Sequence, residues 1–448
     1  MEPFVDNPSP SKIPIPAKPA GAYRVLHTAD WHLGKMLGEH SREEEHRRFL
    51  DFLLHAIREH SVDLLVIAGD VFDSANPPQT AEAQYYDFLS ALYRQGGCSV
   101  VVIAGNHDSP AHLEAPRQVL KALGAHVLGA LRQSPAETLL PFPNANSPRL
   151  IAAAIPFLRD RDLRIGQSGQ TAADIQKALV DGIKRRYEEV AATAKPWTDR
   201  GVPVLATGHL TIVGSTASES EREIHVGGLG AVGADSFSNV FSYVALGHLH
   251  RPQAAAGHET VRYAGSPIPL SLSEAKDVKA VRLLDFGQGK LVSQAELQIP
   301  LVRPLAQIST TRQLLDSTLE SFKPPPGELS AWVELLIEDP VAGESLFERA
   351  QEIGRANGFE VIRVISKPTM TRSAGMTAAE ITDADGIADL LAEPTKVFAH
   401  RLEAESSLTQ QEKESLKAAF LELLNLHAEQ EGQAGDNVNH QRILSGQE

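Results

Sequence analysis

The sequence predicts an α/β chain in which strands and helices alternate, followed by a smaller α+β unit and a pair of helices. Three observations predict it. Short apolar runs recur at Val25–Ala29, Leu64–Ala68, Val100–Ala104, Val202–Ala206 and Tyr243–Leu246. Each ends abruptly in glycine or a polar residue. Amphipathic stretches of helical length, 41–60 and 79–95, separate the first three. Apolar runs this short read as strands buried on both faces. Strand, helix, strand in succession is the grammar of parallel βαβ units.

Residues 1–22 precede the first strand. They hold six prolines in the first twenty positions and no apolar core of the kind a secretory signal needs, so an extended, mobile arm is expected. Residues 23–298 read as one large α/β domain, with further strands at Leu150–Ile155, Val261–Ala264 and Val278–Leu284, and a long helix at Ala172–Ala194. Texture changes near residue 300. Residues 299–372 alternate strand (Leu305–Ile308), helix (Thr311–Phe322), strand (Trp332–Glu338), helix (Ala342–Asn357) and strand (Phe359–Ser366), a small α+β cap. Residues 373–393 read as a linker. Residues 394–430 read as two helices, the second opened by the capping box Thr409-x-x-Glu412. Residues 431–448 turn polar and read as a mobile tail.

Composition narrows the chemistry. Of 448 residues, Asp and Glu outnumber Lys and Arg, for a formal charge of −15. The chain therefore does not bind nucleic acid by bulk charge, and any phosphate site must be local. Cys98 is the only cysteine, which excludes an internal disulfide framework and a cysteine-rich zinc or iron–sulfur site. The 17 histidines keep imidazole ligation open. No run approaches the roughly 20 apolar residues of a membrane span. Cytoplasm is the expected compartment.

The residues just past each of the five strands carry the chemistry. The ends deliver Asp30-Trp31-His32, Gly69-Asp70, Gly105-Asn106-His107-Asp108, Gly208-His209 and Gly247-His248-Leu249-His250. Ligand sites in α/β sheets form outside the carboxyl ends of strands. A lone Asp or His there is ordinarily a turn residue, but five such ends in order make a donor set. Carboxylate, amide oxygen and imidazole without thiolate suit Mn²⁺, Mg²⁺, Fe²⁺ or Zn²⁺. Seven candidate donors exceed one ion. Two ions about 3.5–4 Å apart would use them all, with Asp70 as the shared carboxylate, and would hydrolyse a phosphoester. His40, His46, His55 and His60 lie on or near a charged helix and are read as solvated. His27, inside the first strand, is read as a hydrogen-bonded core residue.

These motifs resemble the calcineurin-like metallophosphoesterases. The strings HTADWHLGK (27–35), AGDVFD (68–73), AGNHDSP (104–110), IPFLR (155–159), ATGHLT (206–211), ALGHLH (245–250) and RYAGSPIPLS (262–271) are similar, more closely, to the nuclease subunits of bacterial SbcC–SbcD complexes. The resemblance covers about 23–430. It implies a four-layer αββα metallophosphoesterase sandwich and a Mn²⁺-dependent DNA exonuclease and endonuclease of repair, recombination and replication. Asp30, His32, Asp70 and His250 would hold one cation, and Asp70, Asn106, His209 and His248 the other. His107 would face the scissile phosphate, with Asp108 orienting its ring. Relatives from archaea and eukaryotes tend to carry His where this chain has Asp73. Residues 394–430 would grip an SbcC-type coiled-coil ATPase, and a homodimer inside a heterotetramer stays open. Other enzymes of this fold, phosphatases or phosphodiesterases, are the alternative. A scaffold that merely kept the fold would have no use for the donors and His107.

No Gly-x-x-x-x-Gly-Lys-Ser/Thr phosphate loop exists in the chain. Gly228–Gly233 fits the dinucleotide fingerprint by letter but opens no helix, and reads as a loop. Arg159, Arg161 and Arg164 follow a strand near the donor ends and could meet backbone phosphates; interleaved with Asp160 and Asp162, they read equally as a solvated loop.

Overall fold

The computed structural model describes residues 15–163, 172–218, 221, 231–338 and 346–366, with a few positions between 402 and 420. The chain begins with β1 (Tyr23–Thr28), a short hairpin of β2 (Met36–Leu37) and β3 (His40–Ser41), α1 (Glu43–Glu59) and β4 (Leu64–Ala68). It continues through α2 (Gln79–Gln95), β5 (Ser99–Ile103), α3 (Pro110–Glu114), α4 (Arg117–Ala122) and β6 (Ala125–Leu128). Next come β7 (Leu139–Phe142), β8 (Leu150–Ala153), α5 (Asp160–Leu163), α6 (Ala172–Thr198), β9 (Val204–His209) and β10 (Tyr243–Gly247). Strands β11 (Gln253–Ala255), β12 (His258–Tyr263), β13 (Ala280–Gly287) and β14 (Lys290–Gln298) complete the catalytic part.

These strands form two six-stranded sheets, ordered β14-β13-β1-β4-β5-β6 and β11-β12-β10-β9-β8-β7. Side-chain alternation explains why the strands read as unbroken apolar runs. In β4, Leu64, Val66 and Ala68 face the core shared with the second sheet, while Leu65 and Ile67 face the helical layer. In β10, Tyr243 and Ala245 enter the shared core, while Val244 and Leu246 turn outward. Successive residues point to opposite faces, and here both faces are covered. Helices α1 and α2 cover the first sheet through Phe49, Leu53, Phe88 and Leu89. Helix α6 covers the second through Leu179, Ile183 and Tyr187. The result is the expected four-layer αββα sandwich.

Strands β1, β4 and β5 run parallel, as do β9 and β10. Their carboxyl ends therefore lie at one edge of each sheet. Boundaries differ locally from the sequence reading. Strand β9 starts at Val204 and carries the pairing through His209. The last expected strand extends to Gly287 and turns into a partner, β14, that sequence periodicity did not reveal.

Two expectations fail. Residues 15–22 are not a free arm. Lys18 Nζ bonds Asp63 Oδ2 at 2.5 Å, Arg24 Nη2 donates to the Pro16 carbonyl at 3.0 Å, and Ile15 packs on the helix-covered core. Arg24 itself is fixed by a buried pair with Asp285 at 2.7 Å. His46 is not solvated but fully buried. It sits three, four and seven residues before Phe49, Leu50 and Leu53, on the apolar stripe of α1. Burial pushes its imidazole down to about 3.

The cap follows as β15 (Leu305–Thr310), α7 (Leu315–Ser321), β16 (Ala331–Ile337), α8 (Phe347–Ala356) and β17 (Phe359–Ser366). Its three parallel strands bury Val333, Leu335 and Phe359 against Leu319 and Ala350. The guanidinium groups of Arg42 and Arg303 lie over the Trp332 ring, 5.7 and 4.1 Å from its centre. Glu45 joins both arginines, at 2.8 and 2.9 Å, so the cap is pinned to α1. The first compact unit ends at Lys367 and a second spans Pro368–Glu448. The expected linker 373–393, the tail 431–448 and most of 394–430 lie outside the described residues.

Candidate metal centre

The expected donors converge at the carboxyl edges of the two sheets. Past β1 and β4 the chain keeps pairing without forming strand. Asp30 N donates to the Gly69 carbonyl at 3.0 Å, His32 N to the Asp70 carbonyl at 3.0 Å, and Leu33 N to the Val71 carbonyl at 2.9 Å. This forces Asp30, His32 and Asp70 to φ values of 52°, 48° and 48°, and His248 on the second sheet reaches 101°. Left-handed backbone is uncommon for side-chain-bearing residues and is held only where surroundings over-determine it. Four of the expected ligands share it.

Glycines before the ligands give room for close approach. A Cβ on Gly105 would sit 2.1 Å from Asp70 Oδ1, and one on Gly69 2.3 Å from His209 Nδ1. No side chain fits at either position, so the motif spacing is a packing requirement.

Three groupings of donor atoms lie within 4.8 Å of one another: Asp30, His32 and His250; Asp30, Asp70 and His209; and His32, Asp73 and His107. Asn106 joins the second, its Oδ1 2.9 Å from His209 Nε2. His248 enters through its ring, 5.4 Å from that of His209, and its amide, which donates to Asp30 Oδ1 at 2.8 Å. The third grouping is already committed. The Asp73 carboxylate takes His32 Nδ1 at 3.1 Å and Lys35 Nζ at 3.1 Å. That contact places the His32 proton on Nδ1 and turns Nε2 inward. His209 Nδ1 lies 3.0 Å from the Ala68 carbonyl, which likewise leaves Nε2 facing Asp70, 3.3 Å away.

The donor set fits cations. Asp30 Oδ2 and His32 Nε2 are buried without a hydrogen-bond partner. Such atoms cost about 1–3 kcal/mol each unless something ligates them. Without a cation, burial pushes the Asp30 carboxyl up to about 7 and the His32 imidazole down to about 4. Burial also opposes the Asp70 charge, but His209 outweighs it and holds that carboxyl well below the usual carboxylate range. Asp70 in turn raises His209 to about 9 against its burial.

One assigned role is corrected. Asp108 does not orient His107. Its carboxylate accepts the backbone N–H groups of Gly105, Val71 and Phe72 at 2.9, 3.2 and 3.0 Å. The His107 ring is oriented instead by the Asp73 carbonyl, 2.8 Å from Nδ1. Asp108 ties the β4 and β5 ends together.

Sequence reasoning singled out Asp73 only as a departure from relatives. It missed Glu274 behind His250 altogether. Asp73 closes the AGDVFD string, and Glu274 lies three residues past RYAGSPIPLS; the motifs extend further than their letters suggested. Among the basic residues, Arg185 and Arg186 are spent on the carbonyls of Leu163 and Asp162. Arg161 is exposed and Arg164 lies outside the described residues.

The calcineurin-like phosphoesterase family model matches residues 23–252, a span that contains every expected donor. The D subunit of the nuclease SbcCD from Escherichia coli strain K12 is 38% identical over 342 residues, covering 76% of this chain and 84% of that protein. The proteins of the same name from Rhodobacter capsulatus and Bacillus subtilis are 38% and 35% identical, covering 72% and 76% of this chain and 78% and 85% of their own lengths. The chain thus belongs to the calcineurin-like phosphoesterases and, within them, to the family of SbcCD nuclease D subunits.

Proposed function

We propose that the chain is the metal-dependent nuclease subunit of an SbcC–SbcD-type machine. It hydrolyses phosphodiesters of double-stranded DNA ends as an exonuclease and of hairpins or single strands as an endonuclease. Its setting is DNA repair, recombination and replication in the cytoplasm. The observation that carries this is the burial of two aspartates and four histidines, beside a half-buried Asn106, around unsatisfied donor atoms where the carboxyl edges of the two sheets meet.

Asp30, His32, Asp70 and His250 would hold one cation, and Asp70, Asn106, His209 and His248 the other. Mn²⁺ is the assignment the nuclease family suggests. Cations held there would supply charge to polarise a phosphodiester and to lower the pKa of an attacking water. The chain's own groups do the rest. His107 donates its Nδ1 proton to the Asp73 carbonyl, which leaves Nε2 for the scissile phosphate or the leaving oxygen. Lys35 and Asp73 hold His32 in the tautomer that ligates. A chain of net charge −15 needs this local positive centre to approach DNA at all.

The test is cleavage of end-labelled hairpin and blunt duplex DNA with Mn²⁺, with and without the coiled-coil ATPase. Cleavage that needs Mn²⁺ and is redirected by the ATPase supports the reading; hydrolysis of phosphomonoesters alone overturns it. The docking role of 394–430 has its own check. A chain lacking 394–448 should keep Mn²⁺-dependent cleavage of simple substrates and lose co-purification with the ATPase.

A further inference from the structure

The segment Ser266–Lys279 buries three polar side chains beside His250 although it supplies no expected ligand. Glu274 is fully buried, Ser266 likewise, and Lys279 is 5% exposed. Lys279 Nζ uses its three donors on the His250 carbonyl at 2.9 Å, Ser266 Oγ at 2.9 Å and Glu274 Oε2 at 2.5 Å. Glu274 Oε2 also accepts from Ser266 Oγ at 3.1 Å and from Leu270 N at 3.3 Å. Its other oxygen, Oε1, lies 3.4 Å from His250 Nδ1 and 3.3 Å from Ser218 Oγ. One ion pair therefore holds His250 twice, by its ring and by its carbonyl.

We infer that Glu274, held by Lys279, is a positioning residue for the cation at His250. It accepts a hydrogen bond from the His250 Nδ1–H, fixes that tautomer and aims Nε2 at Asp30 and His32. The other histidines of the centre are served differently. His32 relies on Asp73, and His209 on the Ala68 carbonyl. Glu274 thus serves one cation and not the other. This explains a buried pair that contributes no donor: breaking either member leaves an uncompensated charge, which is costly. Partners of this kind typically change metal affinity 10–100-fold.

The inference rests on the two-cation reading. The experiment titrates Mn²⁺ into the full-length metal-stripped chain by calorimetry without DNA and counts bound manganese by mass spectrometry. Wild type should take up two Mn²⁺. Glu274→Gln should keep one at wild-type affinity and bind the other about 10–100-fold more weakly. Excess Mn²⁺ should then restore cleavage. Lys279→Met should weaken the same cation. If Glu274→Gln does not fold, the double variant Glu274→Gln, Lys279→Met removes both buried charges and carries the same measurement. A folded variant that binds both ions like wild type, or loses both equally, overturns the inference while the two-cation reading stands. A wild-type chain that takes up fewer than two Mn²⁺ overturns both.

Discussion

The two sheets deliver the expected donors to one centre by different means. At the first edge, the β1 and β4 ends lock each other through main-chain bonds, and Asp108 past β5 ties that end in by accepting three backbone amides. At the second edge, β9 and β10 end within the ladder itself, and their histidines are steadied from elsewhere. His209 leans on the Ala68 carbonyl of the opposite sheet, and His250 on a glutamate 24 positions later. The first edge is rigid by its own backbone; the second borrows its rigidity. Damage to the first should therefore unmake the site, while damage to the second should detune it.

Asp70 is the sharpest test, since it stands on the first edge and reaches His209 of the second. Asp70→Asn should abolish Mn²⁺-dependent cleavage and lower metal content in a chain that stays folded by circular dichroism. Full activity with unchanged metal would end the shared-carboxylate assignment. Next is His107, at the first edge but outside both ligand sets. His107→Leu should keep both metals and lose on the order of 10²–10⁴-fold in cleavage rate, the range of general acid–base contributions. A lost metal ion would make it a ligand instead.

The expected donors were legible because each lies at or just past the end of its strand. A short apolar run fixes where a strand stops, and the next residues must lie at the sheet edge. The supporting groups were not legible for the complementary reason. Glu274 and Lys279 meet His250 only because β12, the loop after it and β13 fold back. The role of Asp108 was misread because its partners are backbone amides, which no side-chain pattern records. His46 was available to closer reading, since Phe49, Leu50 and Leu53 place it on the buried stripe. The hold on residues 15–22 was not, because it depends on Arg24 and Asp63 reaching back to a proline-rich segment.

Asp108 tests whether the first edge is rigid for the reason given. Asp108→Ala strands three buried amides, each worth about 1–3 kcal/mol. Urea unfolding should show a loss of roughly 3 kcal/mol or more, and Asp108→Asn, which keeps one acceptor oxygen, a smaller one. If Asp108→Ala unfolds like wild type, the edge is held by something else.

The smallest effect concerns the seam between the sheets. His27 of β1 is fully buried, with Nε2 3.2 Å from the Leu246 carbonyl and Nδ1 3.4 Å from the Tyr243 hydroxyl, both on β10. Burial, and then Arg282 on the neighbouring strand and Arg262, push its imidazole down to about 3. The folded chain therefore keeps His27 neutral, whereas the unfolded chain protonates it below about 6.5. The stability this histidine contributes is complete above that value and drains away as pH falls towards 3. At pH 5 the loss from His27 alone should be about 2 kcal/mol. His46, pushed down as far, adds a similar slope, so a single substitution should flatten the profile without abolishing it. Urea titrations of wild type and His27→Gln between pH 7 and pH 5 check this. The glutamine can still donate to the Leu246 carbonyl but carries no proton equilibrium. Identical slopes in the two proteins would mean that His27 is not held neutral between the sheets.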